Sequence, residues 1–296
     1  MPPGRRAGCK SLVVADRDSG TSDLDVARIE TVLCDLDGVI WLAHQPIPGA
    51  VEAVAAIRAA GRRVLFVTNN SVDTEADQVA ALATIGIPAG GDVVTSAMAA
   101  ASLVRAGDEV LVVGGPGISE AVHRAGATPR TDVGTRSGTD VPADTDVDVV
   151  VVGLDRSFDY ARLRAASSAI RRGARFVATN DDATFPTPDG PEPGGGSIVA
   201  AVATAAGVRP ELAGKPHAPM VRLIGARVGG PSGFDPATSV VVGDRPETDG
   251  AFAAALGCPF ALVRSGVVRP GAAVPDDMPV AIDVPDLAAL AERLDG

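Results

Sequence analysis

The stretch Thr31-Val32-Leu33-Cys34-Asp35-Leu36-Asp37-Gly38-Val39 decides the fold. Four residues of mostly apolar, strand-like sequence run into two carboxylates spaced two apart, and a Gly follows at once. An apolar run of this kind reads as a strand buried on both faces of a parallel sheet. Charge at the carboxyl end of such a strand, with a Gly to turn the chain, is where open α/β sheets place ligand sites. Two acids taken out of water side by side need compensation, and a bound cation is the usual one. The segment therefore proposes a metal site and a nucleophile together.

The pattern repeats outward from this strand. Strand-like runs at 31–35, 63–68, 109–113, 147–153, 174–179, 239–243 and 259–263 alternate with Ala-rich amphipathic stretches. The latter fall at 49–60, 74–85, 96–105, 118–125, 160–172, 197–206, 218–228, 247–256 and 285–294. Alternating β and α predicts an α/β fold with a doubly wound parallel sheet. Aromatic residues make up only 3%, so Val, Ala, Leu and Ile must fill the core. Two stretches break the rhythm. Residues 128–146 are rich in Thr, Asp, Gly, Ser and Pro and read as a loop, and 185–196 hold four prolines and several glycines. Both lie in a middle block with its own β-α-β-β-α character. The expected organisation is a flexible tail over 1–23, a host sheet formed by 24–106 and 208–296, and a smaller α/β unit, 107–207, inserted into it.

Composition narrows the function. A net charge of −11 over 296 residues argues against nucleic acid and anionic membranes as partners, so an anionic substrate needs a locally positive pocket. No apolar run is longer than a strand, and 1–23 hold no stretch fit for a signal peptide. Cys9, Cys34 and Cys258 have no metal spacing and no disulfide pattern, which predicts a reducing, cytoplasmic setting. Only Lys10 and Lys215 are lysines; every other basic side chain of this class is Arg. A Lys kept in the body of such a chain suggests a need for a compact ammonium.

Three further strand ends carry chemistry. Val64-Leu65-Phe66-Val67 runs into Thr68-Asn69-Asn70-Ser71, which reads both as a helix N-cap and as a phosphate cradle of hydroxyl, amide and backbone donors. Gly214-Lys215-Pro216-His217 precedes a helix, whose start favours an anion. It is not a Walker loop, because Arg209 stands where the first Gly is required. Val240-Val241-Val242-Gly243-Asp244 is a buried strand ending in an acid, and Asp249 follows five residues later at a helix start. This pair suits either a helix dipole or Mg²⁺, which prefers oxygen ligands. Asp144-Thr145-Asp146-Val147-Asp148 imitates a calcium loop, but Val149 and Asp155 occupy its sixth and twelfth positions, so a strand is expected. Cys34 should point into the core and be inert, and His217 is read as structural. Trp41 either packs in the core or lines the cleft beyond the Asp-X-Asp turn.

Asp-X-Asp, Thr, Lys and Asp…Asp at four strand ends, in that order, resemble the shared motifs of haloacid dehalogenase (HAD) superfamily phosphatases. The phrases Thr68-Asn69-Asn70-Ser71, Val177-Ala178-Thr179-Asn180 and Gly243-Asp244-Arg245-Pro246-Glu247-Thr248-Asp249 are similar to the subfamily with a class-II cap. That subfamily includes phosphoglycolate, glycerol-phosphate, 4-nitrophenyl-phosphate and pyridoxal-phosphate phosphatases. The resemblance covers residues 31–267. It implies a Rossmann-like core, a cap formed by 107–207, and a Mg²⁺-dependent phosphoric monoester hydrolase acting on a small ester through an aspartyl-phosphate. Asp35 is then the nucleophile, and Asp37 protonates the leaving alcohol and later activates water. Asp35, the backbone carbonyl of Asp37, and Asp244 hold the metal, while Asp249 holds metal-bound water or orients Lys215. Thr68, backbone N–H groups near Asn69, and Lys215 bind the phosphoryl oxygens. The cap loop Asn180, Asp181, Asp182 and Thr184 contacts the leaving group, and its acids discourage a second strongly anionic group. The expected partner is a small-molecule phosphate ester, with no nucleic acid and no membrane; a homodimer through the cap is a candidate assembly.

Glycerol 3-phosphate and 2-phosphoglycolate are the leading substrate types. Pyridoxal phosphate, or broad action on 4-nitrophenyl phosphate, is the alternative. A dehalogenase has no leaving alcohol for Asp37 to protonate. A non-catalytic binding protein on the same fold has no need of the set Asp35, Asp37, Lys215, Asp244 and Asp249.

Overall fold

The computed structural model describes residues 25–131, 146–187, 190–229, 233–275 and 278–295. The expected tail 1–23, with Cys9 and Lys10, lies outside them, as do most of the expected loop 128–146 and the first two residues of the calcium-loop imitation.

In chain order the first elements are β1 (Thr31–Cys34), β2 (Trp41–Leu42), β3 (Gln45–Pro46), α1 (Ala50–Ala59), β4 (Arg63–Thr68), α2 (Glu75–Thr84), β5 (Val93–Thr95) and α3 (Ser96–Ala101). There follow β6 (Glu109–Val113), α4 (Pro116–Arg124), β7 (Thr128–Arg130), β8 (Val149–Val152), α5 (Tyr160–Arg171), β9 (Arg175–Ala178), β10 (Thr184–Thr187), β11 (Gly190–Pro193) and α6 (Gly195–Ala206). The last are β12 (Glu211–Leu212), α7 (Ala218–Val228), β13 (Ser239–Gly243), α8 (Ala251–Leu256), β14 (Phe260–Val263), β15 (Ile282–Val284) and α9 (Leu287–Asp295).

Six strands form one parallel sheet in the order β15-β14-β13-β1-β4-β5. All four residues of β1 are buried, as a strand with helices on both faces requires. Side chains alternate across it. Leu33 joins an apolar cluster with Met220 and Ile224 of α7 and Phe252 of α8, and Val32 and Cys34 join one with Val54 of α1 and Leu290 of α9. Five further strands form a second parallel sheet in the order β12-β9-β8-β6-β7. One of its faces is covered by α5 and α6 through Ile170, Val199 and Val202, and the other shares the cluster that holds Leu33. The doubly wound α/β fold is as the alternation predicts, and the seven expected strands all form.

Helix starts follow local chemistry. Thr74 and Asp77 make a reciprocal capping box at α2, and the Asp159 carboxylate accepts from the Arg162 N–H at α5. Some elements depart from expectation. Residues 128–130, read as loop, form edge strand β7, and the Pro-rich 185–196 contain the antiparallel hairpin β10–β11. A two-stranded ribbon tolerates this much Pro because each strand keeps a free outer edge. Residues 247–256 are not one α-helix. A wide π turn over Pro246–Gly250 precedes α8, with the N–H groups of Asp249 and Gly250 both reaching back to the Arg245 carbonyl.

Candidate active site

Three neighbouring strands, β13, β1 and β4, deliver their carboxyl ends to one place. Asp35 follows β1, Thr68 ends β4 and Asp244 follows β13. The chain turns sharply after Asp37, where Gly38 has φ +89° and a side chain would run into the Asp244 carboxylate. The turn is tied by Gly38 N–H to the Trp41 carbonyl at 2.7 Å and by Ser265 Oγ to the Gly38 carbonyl at 2.6 Å.

Lys215 is the hub of the site. Its ammonium is 3% exposed and donates to Asp35 Oδ1 and Asp249 Oδ1, each at 2.7 Å. Burial opposes its charge, but Asp249 and Asp35 outweigh that and hold its proton more tightly than usual. The π turn that brings Asp249 back also lets Asp249 Oδ2 accept from the Arg245 N–H at 3.2 Å. Asp244 Oδ2 accepts from the Val267 N–H at 2.6 Å, while Asp244 Oδ1 is buried without a hydrogen-bond partner. Burial, and then the Asp249 charge, push the Asp244 carboxyl up to about 7.

Carboxylate oxygens of Asp35, Asp244 and Asp249 lie within 4.8 Å of one another. Three carboxylates facing one ammonium leave two negative charges, and one of the acids has an unpartnered oxygen. A divalent cation with oxygen preference fits both facts. The Asp37 carboxylate stands outside this group. Burial raises the Asp37 carboxyl above its ordinary range, with His44 opposing the shift most.

The remaining expected residues divide. Thr68 is buried, its Oγ1 accepts from the Asn70 N–H at 3.0 Å, and it lines the central cavity of about 350 Å³ beside Asp35, Asp37 and Lys215. Asn69 also lines it, but its side-chain amide is occupied: Oδ1 accepts from Lys215 N–H at 2.8 Å, and Nδ2 donates to the Lys215 carbonyl at 3.1 Å. Asn180, Asp182 and Thr184 reach the cavity. Asp181 is not among its lining residues; it is exposed and faces His217 Nε2 at 3.4 Å, which holds its carboxyl below the usual range. Trp41 is buried in the core. Cys34 and Cys258 are buried free thiols, and burial raises both, Cys258 to about 12.

Several lining residues escape the sequence reading: His44, Arg156, Phe185 and Arg245. His44 sits at the tip of the β2–β3 hairpin in the left-handed region, φ 64°, and meets Trp41 edge-on at 4.9 Å between centroids. Arg156 lies 5.3 Å over the Phe185 ring and pairs with Glu192 at 3.0 Å.

Comparison with known proteins agrees with this geometry. A haloacid dehalogenase-like hydrolase family model matches residues 32–128, and a HAD-hydrolase-like model matches residues 212–290. The D-glycerol 3-phosphate phosphatase of Mycobacterium tuberculosis (strain ATCC 25618 / H37Rv) is 41% identical over 244 residues, 80% of this chain and 64% of that protein. This chain thus spans just under two thirds of that relative. Chronophin of Homo sapiens is 35% identical over 269 residues, covering 86% of this chain and 88% of that protein. A crystal structure of a glycerol phosphate phosphatase from Mycobacterium tuberculosis in complex with magnesium superposes with a TM-score of 0.76 at 36% identity, over 90% of this chain and 78% of that one.

Proposed function

The chain belongs to the haloacid dehalogenase-like hydrolases, and from that premise we propose that it is a Mg²⁺-dependent phosphatase of small-molecule phosphomonoesters. The favoured substrates are of the glycerol 3-phosphate or 2-phosphoglycolate type. One observation carries the reading: Lys215 is shared between Asp35 and Asp249 beside the unpartnered oxygen of Asp244.

Asp35 attacks phosphorus, and the Asp35–phosphorus bond forms as the bond to the leaving oxygen breaks. Asp37, whose proton burial favours, gives that proton to the leaving alcohol. The resulting Asp37 carboxylate then takes a proton from the water that attacks the aspartyl-phosphate, which restores Asp35 and releases phosphate. Lys215, Thr68 and the backbone near Asn69 hold the phosphoryl oxygens, where negative charge is spread. Asp35, Asp244 and the Asp37 carbonyl would hold Mg²⁺, which when bound neutralises the two anions that must meet.

The block 107–207 acts as a cap in this reading, with β12 belonging to its sheet. Its side chains at the cavity include Arg156, Asn180, Asp182, Thr184 and Phe185. Phe185 favours a second reading in which the leaving alcohol is aromatic, as in pyridoxal or 4-nitrophenyl phosphate. Buried free thiols support a reducing, cytoplasmic compartment, and no helix among the described residues is long and apolar enough to cross a membrane. A homodimer through the cap is part of the same reading, and light scattering tests it: a mass of one chain rejects it.

The test of the activity is phosphate release from a panel of phosphorylated metabolites and 4-nitrophenyl phosphate, with Mg²⁺ and with chelator. Metal-dependent release, strongest for three- and two-carbon acyclic esters, is expected. Absence of release from every ester overturns the reading.

A further inference from the structure

Asp182 lines the cavity, yet both of its carboxylate oxygens are turned to the core rather than left for a substrate. Oδ2 accepts from Asn69 Nδ2 at 2.9 Å, and Oδ1 accepts from Thr248 Oγ1 at 3.4 Å. Each partner is one step from the chemistry. Asn69 clamps the N–H and carbonyl of Lys215, and Thr248 immediately precedes Asp249. Those are the two residues joined through the Lys215 ammonium. The same loop has one internal tie and is held to the core at two more points. Asn180 Nδ2 donates to the Asn69 carbonyl at 2.9 Å, Asn180 Oδ1 accepts from the Asp182 N–H at 3.2 Å, and Arg245 Nη1 donates to the Thr184 carbonyl at 3.3 Å.

We propose that Asp182 is a positioning residue that couples the docking of the cap loop to the placement of Lys215. The link runs from the Asp182 carboxylate to the Asn69 amide, and from there to the Lys215 backbone. When the loop is seated, Asn69 is fixed and the Lys215 ammonium is held between Asp35 and Asp249. When the loop lifts, Asn69 loses its only carboxylate acceptor among the described contacts, and the lysine backbone is freer to move. The phosphate pocket is therefore completed only under a closed loop, which suits a reaction whose phosphoryl charge is stabilised by fixed donors rather than by bulk water. This rests on the reading of Lys215 and Asp35 given above, and it separates Asp182 from the residues that select the leaving group.

The test is steady-state kinetics on the full chain for Asp182→Ala, the near-isosteric Asp182→Asn, Asn69→Ala and the double variant Asp182→Ala with Asn69→Ala. The substrates are 4-nitrophenyl phosphate and several acyclic phosphate esters at saturating Mg²⁺. Misplacing a catalytic group by about 1 Å costs up to about a hundredfold. Asp182→Ala should thus lose about tenfold to a hundredfold in kcat, by a common factor for every ester, with KM changed less than about threefold. Asp182→Asn, which keeps one acceptor oxygen, should recover part of the loss. The double variant should be no worse than Asn69→Ala, because the two side chains act in series. Multiplying losses in the double variant, undiminished kcat in Asp182→Asn and Asp182→Ala, or a reordered substrate preference each overturn the proposal. Asp182→Asn melting with the parent keeps the test valid should Asp182→Ala fail to fold. Undiminished turnover in Lys215→Ala is a separate result and overturns the underlying assignment instead.

Discussion

The N–H of Val267 holds one oxygen of Asp244 at 2.6 Å, and the other oxygen of that carboxylate has no partner. An acid fixed in this way, and pushed up to about 7, presents a preset ligand with nothing among the described residues to answer it. Asp244→Asn should raise the Mg²⁺ concentration for half-maximal activity by about tenfold or more. Activity titrated against Mg²⁺ checks this, and an unchanged midpoint would remove Asp244 from the metal site.

The same carboxylate makes stability depend on pH. An unfolded Asp titrates near 3.9, so a folded value of about 7 means the folded state binds the extra proton between the two. The stabilising proton is present below the lower value and is lost as pH rises through the upper one. Asp35 is shifted in the same direction. The metal-free protein should therefore lose Tm as pH rises from about 4 to about 7, and added Mg²⁺ should restore it increasingly toward the top of that window. Melting curves at several pH values, with Mg²⁺ and with chelator, measure the difference; a Mg²⁺ effect that does not grow with pH counts against this account.

Asp35→Asn should abolish turnover, by more than about a thousandfold, while the fold persists. The amide cannot form the aspartyl-phosphate and carries no charge for the metal. Circular dichroism and phosphate release from one preparation decide this. More than a small residual activity, with contaminating phosphatases removed, would exclude Asp35 as nucleophile.

Lys215→Arg should lose about a hundredfold or more in kcat/KM, although Arg is this chain's usual cation. The ammonium is 3% exposed and meets two carboxylates at equal distance, a space that a planar fork does not fit. Near-parental efficiency would show that only a positive charge is needed there.

Leaving-group selection should follow the cavity wall. Arg156→Ala removes the guanidinium that covers Phe185 and pairs with Glu192, and should change the ratio of kcat/KM between aromatic and acyclic esters by about twofold to fivefold. Asp181→Asn should leave that ratio unchanged, because Asp181 faces His217 outside the cavity. A selectivity change in the Asp181 variant alone would place the specificity surface on the other side of this loop.

The convergence of Asp35, Thr68 and Asp244 at one sheet end was legible because each closes a single apolar run, and the run itself marks the strand. The cap side was less so, for a physical reason. Asp181 and Asp182 are neighbours of the same type, and nothing in a local pattern tells which one turns inward. The partners of Asp182 lie 113 and 66 residues away in the chain. His44 was hidden because its hairpin has strands of two residues, too short for periodicity, and its left-handed turn carries Ala43 and His44 rather than Gly or Asn. The hairpin β10–β11 was masked by the very prolines that ordinarily exclude strands.

The place of β13 in the main sheet has a consequence for how the chain is made. β1 pairs on one side with β4, which follows it closely, and on the other with β13, where Cys34 lies opposite Val242. A ribosome working at about 5–20 residues per second needs roughly 10–40 s to bridge that interval. Throughout that time a strand that ends fully buried has one bare edge, of the kind that templates unwanted pairing. The proposed nucleophile is therefore among the early segments to emerge and among the late ones to be sheltered, and the yield of folded enzyme should respond to chaperone supply and to translation speed across the intervening block 107–207.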